Sequence, residues 1–135
     1  MLEKPSGGWT RVSIGGFSSR ASYLTDVPYD MLNAFTRFFS ENRPQTVYFD
    51  GEGLDFYITF SWDIIFMLDG RGDTNYLCHQ DEVKIDDVVR EVISDLEEHL
   101  DDWKAWSEFY DTADKLEPML LELKELVSIR RKGFC

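Results

Sequence analysis

From Leu54 to Ser61 the side chains alternate strictly, with Leu54, Phe56, Ile58 and Phe60 on one parity and Asp55, Tyr57, Thr59 and Ser61 on the other. That is the period of a strand with one buried face. The pattern extends from Thr46 to Cys78 as four strands. Three turns separate them: Asp50-Gly51-Glu52-Gly53, the neighbourhood of Ser61-Trp62-Asp63, and Asp69-Gly70-Arg71-Gly72-Asp73. Glycines and short polar side chains suit such reversals because they tolerate the dihedrals a tight turn demands. The reading is an antiparallel meander whose apolar face needs a cover.

Upstream, Trp9 to Phe17 alternates around Val12 and Ile14 and reads as an N-terminal strand that stops or bends at Gly15-Gly16. A short extension through Ala21, Tyr23 and Leu24 pairs with it. Residues 1–8 have no period and read as a loose lead-in. Thr25-Asp26-Val27-Pro28 places a capping oxygen just before a proline, the order of a helix start. Met31, Leu32, Phe35, Phe38 and Phe39 follow at helical spacing, and Pro44 closes the helix by Asn42.

Beyond the meander the period changes to 3.6. Val88, Val89, Val92, Ile93, Leu96, Leu100, Trp103, Trp106 and Tyr110 form one broad stripe from Asp86 onward, which reads as the cover of the sheet. A last helix carries Leu116, Leu120, Leu123 and Val127, with Pro118 tolerable in its first turn. The Arg130-Arg131-Lys132-Gly133 tail ends it with cations and a glycine. The fold class is therefore α+β: an antiparallel β-sheet, the central four-strand meander plus an N-terminal strand, covered on one face by helices in the order β-α-β-β-β-β-α-α. Its 135 residues, 43% of them hydrophobic, suit one domain over 1–135, with 1–8 and 130–135 as loose ends.

Charge changes the picture from scaffold to interaction. The net charge is −12, and residues 81–125 hold 16 Asp or Glu against 5 Lys or Arg, a net of −11. Such a surface repels nucleic acid and anionic membranes and complements a basic protein partner. Asp87, Glu91, Asp95, Glu98 and Asp102 stand at spacings of 4, 4, 3 and 4, on one helix face beside the apolar stripe. Like charges one turn apart destabilise a helix by roughly 0.2–0.5 kcal/mol per pair. A face built for stability alone would interleave lysines. The five carboxylates are the candidate partner-binding residues, at roughly 6 Å intervals suited to a cleft that holds phosphates. The competing reading is a solvated face that serves solubility.

Chemistry is sparse elsewhere. Trp103, Trp106, Phe109 and Tyr110 read as core packing against the last helix, with interface anchors as the alternative. His99 reads as a core-edge histidine. Cys78 and His79 are adjacent strand residues, so they point to opposite faces and cannot act as a pair. Asp50, Glu52 and Asp55 lack the ligand count of a calcium loop, and Gly51-x-Gly53 leads into a strand, not a phosphate-cradling helix. Arg71-Gly72-Asp73 reads as a turn, and Ser18 and Ser19 have no base partner in sequence. No metal and no cofactor is expected, since no four-ligand set is visible.

Cys78 and Cys135 read as reduced thiols. The Met1-Leu2-Glu3-Lys4-Pro5 start has no apolar core of a leader, and the longest apolar run, Ile64 to Leu68, is far below the roughly 18 residues of a membrane span. The expected location is cytoplasmic. The expected function is a small acidic, non-catalytic inhibitor that binds a basic nucleic-acid-handling protein: an immunity protein, an antitoxin or a phage-type anti-defence protein that mimics DNA charge. The alternative is a structural or accessory assembly protein of a phage or bacterium. A small enzyme is disfavoured by the shortage of histidines and paired nucleophiles.

Overall fold

The computed structural model describes residues 1–70 and 76–131. Its elements run β1 (Trp9–Ile14), β2 (Phe17–Ser22), α1 (Val27–Glu41), β3 (Gln45–Phe49), β4 (Phe56–Phe60), β5 (Ile65–Gly70), β6 (Tyr76–Asp81), α2 (Ile85–Glu98), α3 (Leu100–Glu108), a 3₁₀ turn (Ala113–Lys115) and α4 (Leu116–Arg131). The class is α+β. β3-β4-β5-β6 form the four-stranded antiparallel meander, and β1 and β2 form a separate two-stranded sheet. The N-terminal strand is thus a hairpin. Ile14 pairs with Phe17 across Gly15-Gly16, where Gly15 takes a left-handed φ of 55°.

In the meander Phe56, Ile58 and Phe60 are fully buried, as their parity requires. Leu54 does not join them: it precedes β4 and is 56% exposed. Asp50 Oδ1 accepts the Glu52 amide, and positive φ at Glu52 and Gly53 prolongs the reversal, so pairing begins only at Phe56. The third turn of the meander, at Arg71-Gly72-Asp73, lies outside the described residues, as do Lys132, Gly133 and Cys135.

The buried face is covered directly by α1 and by the hairpin. Phe35 of α1 sits edge-on to Phe60 with ring centroids 4.9 Å apart, and Phe17 of β2 lies 5.6 Å from Phe56. α4 packs on α1, and α2 packs on α4 and α3. Val89, Val92, Leu96 and Trp103 are buried in the same core as Phe56, Ile58 and Phe60.

Asp26 and Asn42 flank α1 as its caps, and Asn42 takes the left-handed conformation with φ 53°. Pro118 lies in the first turn of α4, where Leu116, Leu120, Leu123 and Val127 are buried. Residues 1–8 are tied down. Leu2 is buried and bridges to Val12, the Glu3 amide donates to the Arg11 carbonyl at 3.0 Å, and the Ser13 amide donates to the Met1 carbonyl at 2.8 Å.

The opposite face of the meander carries two cross-strand rows, Tyr48-Tyr57-Leu68-Cys78 and Thr46-Thr59-Phe66-Gln80. None of these eight positions is charged, and Tyr57, Phe66 and Leu68 are exposed.

Candidate functional site: the acidic helices and the cleft beside them

Asp87, Glu91, Asp95 and Glu98 share α2, and Asp102 belongs to α3. The long helix expected from Asp86 breaks at His99, whose φ of −128° and ψ of 43° leave the helical region. The apolar period continues through Leu96, Leu100 and Trp103 on both sides of the break, which is why the spacing alone hides it.

Two of the five carboxylates share the N-terminal ammonium as a partner. The Met1 ammonium donates to Glu91 Oε1 at 2.5 Å and to Asp95 Oδ2 at 2.9 Å, and the Leu2 amide donates to the same Asp95 oxygen at 2.8 Å. Burial opposes the charge on that ammonium, but its bonds to Glu91 and Asp95 and their charges outweigh burial, and its pKa rises above the usual 8.0. Asp87 lies 3.8 Å from the Arg90 guanidinium, Glu98 lies 3.9 Å from His99 Nε2, and both carboxylates are well exposed. Asp102 is exposed with no ion-pair partner among the described residues.

The cations of this segment are largely taken. Lys104 pairs with Glu117, Lys124 with Glu97 at 2.5 Å, and the Lys115 ammonium lies 5.8 Å from the centre of the Tyr29 ring. Exposed acids without a cation among the described residues include Asp102, Glu108 and Asp111. The surface around α3 is thus uncompensated.

Past the break, Asp102 enters the wall of a cleft of about 340 Å³ between α3 and the N-terminal turn, lined by Pro5, Ser6, Gly7, Gly8, Tyr23, Asp102, Ala105, Trp106 and Phe109. Phe109 is 69% exposed, and its ring meets Tyr23 edge-on at 5.4 Å. Trp106 is buried and donates its indole N–H to the Thr25 carbonyl at 2.9 Å, which fixes the floor. The Ser6 amide donates to the Trp9 carbonyl and the Trp9 amide to the Ser6 carbonyl, closing a turn over Gly7 and Gly8. A β-carbon at Gly8 would stand 2.8 Å from the Tyr23 ring, so the turn can lie against that ring only as glycine.

A larger cleft of about 720 Å³ between α2 and α4 is lined by Arg90, Glu97, Glu98 and Lys124 among others. Trp103 packs fully in the core as expected, whereas Phe109 projects into solvent. His79 lies against Phe17, with ring centroids 5.4 Å apart, and Cys78 faces the outer side of the sheet. Asp50 holds the Glu52 amide, and Asp55 accepts the Tyr48 hydroxyl at 2.5 Å. No group of three or more metal-ligating side chains gathers among the described residues. No helix among them is long and apolar enough to cross a membrane.

The cleft is the feature that sequence reasoning missed. Its signals are the Gly7-Gly8 pair, which has no period, and an aromatic residue at the end of a helix beyond the buried stripe. No protein-family profile, curated protein or solved structure matches this chain.

Proposed function

We propose that this chain is a small acidic, non-catalytic binding protein of the cytoplasm that blocks a basic nucleic-acid-handling protein, as an immunity protein, an antitoxin or a phage-type anti-defence protein does. The observation that carries the reading is the imbalance on α2 and α3. Their carboxylates outnumber the available cations, and Lys104, Lys115 and Lys124 are already engaged. Uncompensated charge on a folded helix layer costs stability and gains a fast, steered encounter with a surface of opposite sign. Asp87, Glu98 and Asp102 face solvent as partner contacts. Glu91 and Asp95 contribute charge while holding the Met1 ammonium.

The test is retention of a basic protein from source-cell extract at low salt, followed by a salt titration of the purified complex. Affinity should fall steeply with salt, because exposed charges are screened beyond about 8 Å near physiological ionic strength. Asp87→Lys with Glu98→Lys should abolish binding and leave the fold intact. Unchanged affinity in that variant would reject the reading.

One observation favours a second reading, a structural or accessory assembly protein. The uncharged rows on the outer sheet face are a surface on which neighbouring subunits could pack without confronting carboxylates.

A further inference from the structure

The cleft beside α3 combines features that select one kind of side chain. Its floor and far end are aromatic, from Trp106, Tyr23 and Phe109, and its opposite wall is the bare backbone of Gly7 and Gly8. Between Asp102 and Phe109 the cleft is lined by the small Ala105 beside the Trp106 floor. Asp102 and Phe109 are seven residues apart, about 10 Å along the helix axis. A cleft of about 340 Å³ lined by aromatic rings, glycine backbone and one carboxylate suits a long side chain with an apolar stem and a cationic head.

We propose that this cleft receives an arginine side chain of the partner protein, with its stem over Ala105 and its guanidinium paired to Asp102. The assignment rests on the reading that the acidic helices engage a basic protein, and it names the anchor of that contact. Arginine fits better than lysine for two reasons. Its planar fork can give two parallel hydrogen bonds to a carboxylate. It also sheds water more readily against aromatic faces, where an ammonium stays strongly hydrated. The same chain already stacks a guanidinium this way: Arg20 lies 4.5 Å from the centre of the Trp9 ring. Acid around the slot supplies the long-range part, since Glu108 and Asp111 are exposed nearby in sequence with no cation among the described residues. A neutral or acidic anchor would gain neither term.

The probe is a short blocked peptide, acetyl-Gly-Arg-Gly-amide, titrated into the full chain by amide and indole NMR, with the lysine and citrulline peptides as controls. The arginine peptide should shift the Trp106 indole and the amides of Gly7, Gly8 and Ala105 in a saturable way. Lysine should bind more weakly, and citrulline, which keeps the shape and loses the charge, should not bind. Asp102→Asn and Phe109→Ala, both at exposed positions, should each weaken the arginine peptide roughly tenfold while the rest of the spectrum is preserved. Equal shifts from arginine and citrulline, shifts spread over α2 and α4, or full binding by Asp102→Asn would overturn the proposal. The outcome is separable from that of the wider reading. A basic partner retained equally by the unmodified chain and by Asp102→Asn/Phe109→Ala would reject the cleft alone. Saturable arginine binding in a chain that retains no basic protein would reject the inhibitor reading alone.

Discussion

The Asp26 carboxylate accepts the Ser107 hydroxyl at 2.7 Å, joining the first residue before α1 to the last turn of α3 across 81 positions of sequence. Thr112 donates to the other oxygen of the same carboxylate. Asp26 stands where a helix cap belongs, yet its side chain makes no cap hydrogen bond and serves this tertiary junction. Asp26→Ala would leave the buried Ser107 hydroxyl without an acceptor and should cost about 3 kcal/mol in urea unfolding. Ser107→Ala should cost less, and the double variant should fall short of the sum by 1 kcal/mol or more, on the order expected for directly coupled groups. Strict additivity would show that the contact carries no energy.

Asp30, one turn further along α1, has its pKa pushed up to about 6 by burial and by the neighbouring charge of Asp26. The folded chain therefore holds this proton more tightly than the unfolded chain, whose Asp titrates near 3.8. Between those two values the native state binds more protons than the unfolded state, so the Asp30 contribution makes stability fall as pH rises from about 4 to about 6. Asp30→Asn should remove that slope. The variant should match the parent near pH 3.5 and exceed it at pH 7, as thermal midpoints across the range would reveal. A variant less stable than the parent at pH 7 would refute the burial argument.

The Met1 ammonium predicts a split within the acidic face. Its pKa is raised in the fold, so its stabilisation is fully present below about pH 8 and is lost as pH climbs through the folded value. Asp95→Asn, which weakens two hydrogen bonds at once, should destabilise the chain by about 1–2 kcal/mol at pH 7 and by less at pH 10. Reversal of Asp87 and Glu98 should instead leave stability level or raise it, since it relieves like-charge repulsion along α2. The two pairs of carboxylates look alike in sequence and should differ in sign.

Phe56 and Leu54 give the corresponding contrast in the sheet. Phe56 is fully buried between Phe17 and Phe49, with ring centroids at 5.6 and 4.7 Å, and Phe56→Ala should cost about 3–5 kcal/mol. Leu54→Ala, at an exposed turn position of the same parity, should fall within about 0.5 kcal/mol of the parent. Denaturant midpoints of the two variants decide it.

These contrasts mark where the sequence was legible. Period two located β4 and the burial of Phe56, Ile58 and Phe60, because local alternation and local pairing agree there. It overran at Leu54, where turn geometry governs and alternation carries no weight. Period 3.6 located α2 and α3 as one stripe, since nothing in Glu98-His99-Leu100 is a helix breaker. The spacing of the five acids is real, but the partner of Glu91 and Asp95 lies 90 and 94 positions upstream, beyond any periodic signal. The cleft was invisible for a related reason: its walls come from the first eight residues, from Tyr23 and from α3, which meet only in the folded chain.

The uncharged outer rows of the meander have a consequence for handling the protein. At neutral pH the net charge of −12 keeps molecules apart, although Tyr57, Phe66 and Leu68 are open to water. Acidification toward the isoelectric point near 4.4 removes that repulsion and leaves the rows as they are, since they contain no Asp, Glu or His. Protonation of Asp30 meanwhile favours the folded state. Solution turbidity near pH 4.4 should therefore come from native molecules meeting sheet to sheet, and it should clear on return to pH 7 without a refolding step.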